Sequence, residues 1–225
     1  MNKCFFSGLL CLSLAFSAFS QSAILTASTF FQTVSEQYGS IKDYEANIQI
    51  NANNTKMSGK VSFVRPNLLR IDFENPESQV IVFNGDLLTI YLPGPKAVLN
   101  QSVASESSST GANLATPQGL ALMSRYYSVA YESGQDSVEL DPDSGEMVVR
   151  LVLNRKNASE GFKTIKLSVL PDLKLIRRVE AISTSDETFV FDFTNYALNQ
   201  NIPVTRFIYD APSSANNYNN FLFTE

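Results

Sequence analysis

Residues 43–51 read Asp-Tyr-Glu-Ala-Asn-Ile-Gln-Ile-Asn. Tyr44, Ala46, Ile48 and Ile50 alternate with Glu45, Asn47, Gln49 and Asn51, so every second side chain is apolar or small. That period of two is the mark of a strand with one face buried and one in water. Just upstream the period differs. Ile24, Ala27, Phe31, Val34, Tyr38 and Ile41 recur at spacings of three and four, which predicts an amphipathic helix over Ile24 to Ile41, with Gly39 in its last turn. Downstream the alternation persists. Asn53-Asn54 is a turn, Val61 and Phe63 carry the next strand to Pro66, and Leu69, Ile71 and Phe73 alternate with Arg70, Asp72 and Glu74. Val80 to Phe83 and Leu87 to Leu92 flank Asn84-Gly85-Asp86, a hairpin signal. Pro93-Gly94-Pro95 then turns the chain into Lys96 to Gln101.

Ser102 to Asn113 is Ser-rich, has no apolar period and reads as a flexible loop. Thr116-Pro117 is a helix start, with Thr as N-cap and Pro at the first helical position. Leu120, Met123, Tyr126 and Tyr127 give this short helix, Thr116 to Tyr127, an apolar face. Strands are expected to resume near Ser137, followed by Met147 to Leu153, Thr164 to Leu170, Leu173 to Ile182 and Thr188 to Leu198. The tail from Pro212 to Asn220 is polar. The sum is about eleven strands in hairpin order with two helical segments, hence a mainly β, antiparallel and strongly curved sheet. Its core-facing residues are large: Tyr44, Ile48, Phe63, Ile71, Phe73, Ile165, Leu167, Phe189, Phe191 and Phe193. Two helices cannot cover so many strands. Laid over the concave face they would leave an apolar cavity, although the same residues could instead fill a solid barrel.

The first 20 residues read as a secretory signal peptide: Lys3, an apolar run from Phe5 to Phe16, and small Ala18 and Ser20 before Gln21. A lipoprotein signal cut before Cys11 is the alternative, but Leu10 is not the small residue that signal wants. Residues 21–225 are then one domain. Cleavage would remove Cys4 and Cys11, leaving no Cys, and with Lys3 gone the formal charge moves from −5 to −6. A modestly acidic chain of this kind is not expected to bind nucleic acid, and no later stretch approaches a membrane span.

The whole chain contains no His. That excludes a Ser-His-Asp triad and, with Cys gone, the usual zinc sites, and no P-loop is present. The carboxylate pairs Asp72/Glu74 and Asp141/Asp143 read as a solvated strand face and a turn. No enzyme, metal or cofactor is expected. Arg65, at the end of an apolar strand beside Pro66, is either a snorkelling arginine or a residue with a partner.

Gly59 to Pro66, continuing through Asn67-Leu68-Leu69-Arg70, resembles the signature of LolA-type lipoprotein carriers: a glycine-led strand, then Arg-Pro-Asn-Leu. Pro76 with Val80-Ile81-Val82-Phe83-Asn84-Gly85, Leu88 to Pro93, and Thr116-Pro117 with Leu120-Ala121-Leu122 are similar to the segments that follow in that family. The resemblance spans about Gly59 to Leu122. It implies an incomplete, half-open antiparallel barrel with a helical lid over an apolar cavity. It also implies a monomeric periplasmic carrier that takes acylated lipoproteins from an inner-membrane exporter to an outer-membrane acceptor. The residues assigned to such a cavity are Phe63, Leu69, Ile71, Phe73, Ile165, Leu167, Phe189, Phe191 and Phe193. Those assigned to the lid helix are Leu120, Met123 and Tyr127. Arg65 matches the family's Arg that bonds the lid and holds the empty carrier closed. Leu69, Ile71 and Thr89 stand where the family has aromatic residues, so another lipid, a glycolipid or phospholipid, remains an alternative cargo, and a sensor domain on the same fold an alternative role.

Overall fold

The computed structural model describes residues 25–103 and 117–221. The expected signal peptide, most of the Ser-rich loop and the Thr116 cap lie outside these residues. Helix α1 is Ala27–Ser40, entered through Thr26, whose hydroxyl accepts the Thr29 amide at 3.2 Å. This cap starts the helix three residues later than its apolar pattern does. The face it buries carries Phe30, Phe31, Val34 and Tyr38.

The strands are β1 Asp43–Ala52, β2 Thr55–Val64, β3 Leu68–Asn75, β4 Val80–Phe83, β5 Leu87–Leu92 and β6 Ala97–Ser102. Helix α2, Pro117–Tyr126, follows. Then come β7 Tyr127–Tyr131, β8 Val138–Glu139, β9 Met147–Arg155, β10 Phe162–Leu170, β11 Leu175–Ser183 and β12 Thr188–Leu198, a 3-10 turn Val204–Phe207 and β13 Asn216–Asn219. They form one sheet in the order β13-β6-β5-β4-β3-β2-β1-β12-β11-β10-β9-β7, with β8 beside β9. The pairing of β1 with β12 joins the two halves, and neither end strand reaches the other, so the barrel is half-open. Every pairing is antiparallel except that of β13, which runs parallel to β6. No helix among the described residues is long and apolar enough to cross a membrane.

Local chemistry explains the tightest features. Ala52 pairs with Thr55, so Asn53 and Asn54 alone turn the β1–β2 hairpin, at φ 48° and 67°. Asn tolerates this left-handed region, as a two-residue hairpin loop requires. Gly59 sits at a register shift between β2 and β3, where a Cβ would press on the Asp72 carbonyl and lie 2.8 Å from Phe73 Cα. Only glycine fits that approach.

The sheet has two strands more than the sequence pattern indicates. Tyr127 is not in the second helix: it begins β7 and pairs with Arg155. From that residue on, Tyr127, Val129 and Tyr131 alternate with Ser128 and Ala130, a strand period that β9 completes with hydrogen bonds. The other is β13, in the Asn-rich tail, where the backbone pairs along β6 and all four side chains stay exposed.

Candidate functional site

Residues directly opposite each other in neighbouring strands share a face of the sheet. One row runs Tyr131, Leu151, Leu167, Val179, Phe191, Ile50, Met57 across seven strands. A second runs Val129, Leu153, Ile165, Ala181, Phe189, Ala52. In the other half, Ala46, Val61, Ile71, Ile81, Ile90 and Leu99 form a third, and Tyr44, Phe63, Leu69, Phe83 and Leu88 a fourth. Phe193, Ile48, Gly59 and Phe73 lie between. All nine residues that the sequence assigns to a cavity therefore stand on one face, and no charged side chain interrupts these rows.

Burial divides that face. Phe63, Leu151, Leu153 and Leu167 are almost wholly inaccessible, packed in one cluster with α1. Leu69, Ile81, Phe189, Phe191 and Phe193 touch the same cluster but are only half-buried. Large apolar side chains left partly exposed on a concave face form a surface that an apolar ligand would cover.

Helix α1 is fixed firmly. The Tyr38 hydroxyl accepts the Ile176 amide at 3.0 Å and lies 3.2 Å from the Tyr196 hydroxyl, which donates to the Ile176 carbonyl at 2.8 Å. Tyr44 stands edge-on to Tyr38 and stacks on Phe63. Burial pushes the phenols of Tyr38, Tyr44 and Tyr196 up, so the cluster stays neutral. At the other end of α1, Lys174 Nζ sits 5.0 Å over the Phe30 ring, and the Tyr131 hydroxyl donates to the Leu25 carbonyl at 2.9 Å.

Helix α2 buries Leu120 and Met123 in the same core and packs on α1 and β7. Its C-terminal end is bonded by Lys156, whose amide donates to the Tyr126 carbonyl and whose Nζ donates to the Ser124 carbonyl, each at 2.8 Å. Arg65 is placed elsewhere. It is exposed in the β2–β3 turn, its amide donates to the Lys42 carbonyl at 2.9 Å, and its guanidinium bonds no described residue of α2.

The opposite, outer face is polar and crosslinked. Asp72 is hydrogen-bonded by Arg70 at 2.7 Å and by Arg206 at 2.5 Å, which ties the C-terminal segment across β3. Partial burial of Asp72 works against ionisation, yet the hydrogen bonds and charges of Arg70 and Arg206 hold its carboxyl below the ordinary value. Asp72 is thus outward, as its alternation predicts, but ion-paired rather than merely solvated. Phe207 is buried here against Val80 and Val82, and Asp43 accepts the Gln200 and Asn201 amides at 2.6 and 3.1 Å. On β11 and β12, Arg177 and Arg178 both bond Asp192, and Arg178 also binds Asp141, whose carboxyl that bond lowers. Clefts of about 260 and 530 Å³ on this face are lined mainly by charged and amide side chains such as Glu132, Arg150, Lys166, Gln49 and Asn51. Among the described residues, no group of three or more His, Cys, Asp or Glu is placed to hold a metal ion.

A curled antiparallel sheet with an uncharged concave face and two helices packed against it is the half-open barrel that the sequence resemblance implies. The sequence model for the outer membrane lipoprotein carrier protein LolA matches residues 47–210, and the chain belongs to that family. The outer-membrane lipoprotein carrier protein of Histophilus somni (strain 2336) is 26% identical over 137 residues, 60% of this chain and 66% of that protein. That of Glaesserella parasuis serovar 5 (strain SH0165) is 27% identical over 139 residues, 60% of this chain and 65% of that protein. The match thus spans just under two thirds of these relatives' length. Among solved structures, an uncharacterised conserved protein from Thermus thermophilus aligns with a TM-score of 0.55 at 14% identity, over 85% of this chain and 98% of that one. The Pseudomonas aeruginosa MucA/MucB complex aligns with a TM-score of 0.51 at 12% identity, over 82% of this chain and 61% of the other. These likenesses show the fold alone.

Proposed function

We propose that the protein is a soluble periplasmic carrier, exported through a signal peptide at residues 1–20. It shields the acyl chains of lipoproteins on its concave face and moves them from an inner-membrane exporter to an outer-membrane acceptor. The observation that carries this reading is the half-buried wall of Phe189, Phe191 and Phe193, set in uncharged rows within a member of a carrier family. Each acyl methylene exposed to water costs ~0.8 kcal/mol, so a lipoprotein crosses an aqueous space only if its chains are covered. Covering them needs no catalysis, in keeping with a chain that has no His.

Helix α2 is the lid in this reading, and Leu120 and Met123 are the contacts that cargo would displace. Arg65 is the latch of a further closed state, in which its five donors reach lid carbonyls. The test is transfer of a fluorescent palmitoylated peptide from the loaded protein to outer-membrane vesicles across a dialysis gap. Protein-dependent transfer supports the proposal. Binding without transfer would favour storage or sensing, and no binding would refute it.

A further inference from the structure

We infer that Lys156 is the positioning residue of α2, pinning the C-terminal end of the helix so that it pivots at Tyr126–Tyr127 with Pro117 as its travelling end. The inference rests on the reading of α2 as a lid. Helix and strand join with no intervening residue: α2 ends at Tyr126 and β7 begins at Tyr127. Tyr127 is immobilised by its pairing with Arg155, its 2% exposure, and its hydroxyl, which donates to the Phe162 carbonyl at 3.2 Å. The strand side of the junction is therefore fixed.

The helix side carries carbonyls that its own backbone cannot satisfy, because the last turn has no following amides. Lys156 supplies two of the missing donors, its amide to Tyr126 and its Nζ to Ser124, at 2.8 Å each. Its positive charge also stands at the negative end of the helix dipole. The base it reaches from is firm. Lys156 follows the last residue of β9, and Arg155 bonds the Ala158 and Glu160 carbonyls of the same turn at 3.3 and 3.5 Å.

The apolar attachment of α2 differs in kind. Leu120 and Met123 pack in the core cluster that includes α1, by apolar contacts that have no preferred direction. An acyl chain entering beneath the helix replaces one apolar contact by another at little cost. It cannot replace the directed bonds from Lys156. Lid opening is then a rotation about a held end rather than detachment of the helix, and Lys156 sets how readily the end gives way.

The test is hydrogen exchange followed by mass spectrometry on peptides covering residues 117–126 and 27–40. The parent, Lys156→Met and Lys156→Arg are compared, each with and without a palmitoylated peptide as probe. In Lys156→Met, α2 should exchange about two- to five-fold faster, as loss of a helix-end charge contact implies. Exchange in α1 and the urea midpoint should stay at the parent values, and Lys156→Arg should restore slow exchange in α2. Unchanged α2 exchange in Lys156→Met, or equal acceleration in α1 and α2, overturns the assignment while leaving the lid intact. A probe that binds the parent without altering α2 exchange refutes the lid itself, and this inference with it.

Discussion

Phe191 offers a face-specific test, because its neighbour Val190 points to the other side of the same strand. Phe191 stands opposite Ile50 and Val179 on the concave face, and Val190 opposite Asn51 and Glu180 on the outer face. A phenylalanine presents roughly 150–250 Å² of side-chain area. Phe191 is mostly covered but retains an exposed fraction, so on the order of 140 Å² is already buried and up to about 70 Å² remains for cargo. At ~25 cal/mol per Å², Phe191→Ala should cost up to about 3.5 kcal/mol of folding stability. It should also cost up to about 1.8 kcal/mol of cargo binding, roughly a 20-fold rise in Kd at most. Titration with a fluorescent palmitoylated peptide reads the second effect, and urea unfolding reads the first. Val190→Ala should leave the affinity within about two-fold, since it removes no area from the concave face. If Phe191→Ala binds like the parent while Val190→Ala weakens binding, the assignment of faces to function is wrong.

Gly59→Ala should destabilise the protein by about 1–3 kcal/mol, read as a lowered urea midpoint, because the new methyl group meets the β3 backbone rather than a movable side chain. Asp72 has a folded pKa below its ordinary value of 3.8, so its stabilising contribution is complete above that pH and is lost as the pH falls through the lower folded value. Asp72→Asn should cost about 1–2 kcal/mol at pH 7, flatten the acid limb of a stability–pH profile below about pH 4, and speed hydrogen exchange in residues 199–221. With Arg65 as the proposed latch, Arg65→Leu should load the palmitoylated peptide like the parent and deliver it at least about ten-fold more slowly, the effect of a hydrogen bond to a charged group of about 1.5–3 kcal/mol; equal delivery in the transfer assay would reduce Arg65 to a surface arginine.

The concave face is legible in the sequence because parity is conserved through tight hairpins. Once Tyr44, Ile48 and Ile50 point inward, a two-residue turn at Asn53-Asn54 fixes which residues of β2 do, and the register carries the choice on to Ile71 and Ile81. The depth of burial is not legible. Phe63 and Phe191 look alike in the sequence, yet one is fully buried against the stacked Tyr44 ring and the other keeps an exposed fraction, a difference set by tertiary packing. Tyr126-Tyr127 satisfies the helical spacing and the strand alternation equally, and only pairing with β9 decides between them. No propensity marks Asn216–Asn219 as a strand; it becomes one because β6 offers an edge. Contacts between distant residues, such as Lys156 with Ser124 and Arg206 with Asp72, leave no local pattern at all.

The concave face as the acyl-binding surface is tested most directly by photo-crosslinking with a lipopeptide whose acyl chain carries a diazirine, followed by mapping of the adducts. The account predicts label on Phe189, Phe191, Phe193, Leu69 and Ile81, the half-buried residues of the concave rows. Label confined to outer-face residues such as Val190, or to the exposed Val204 and Ile208, would contradict it.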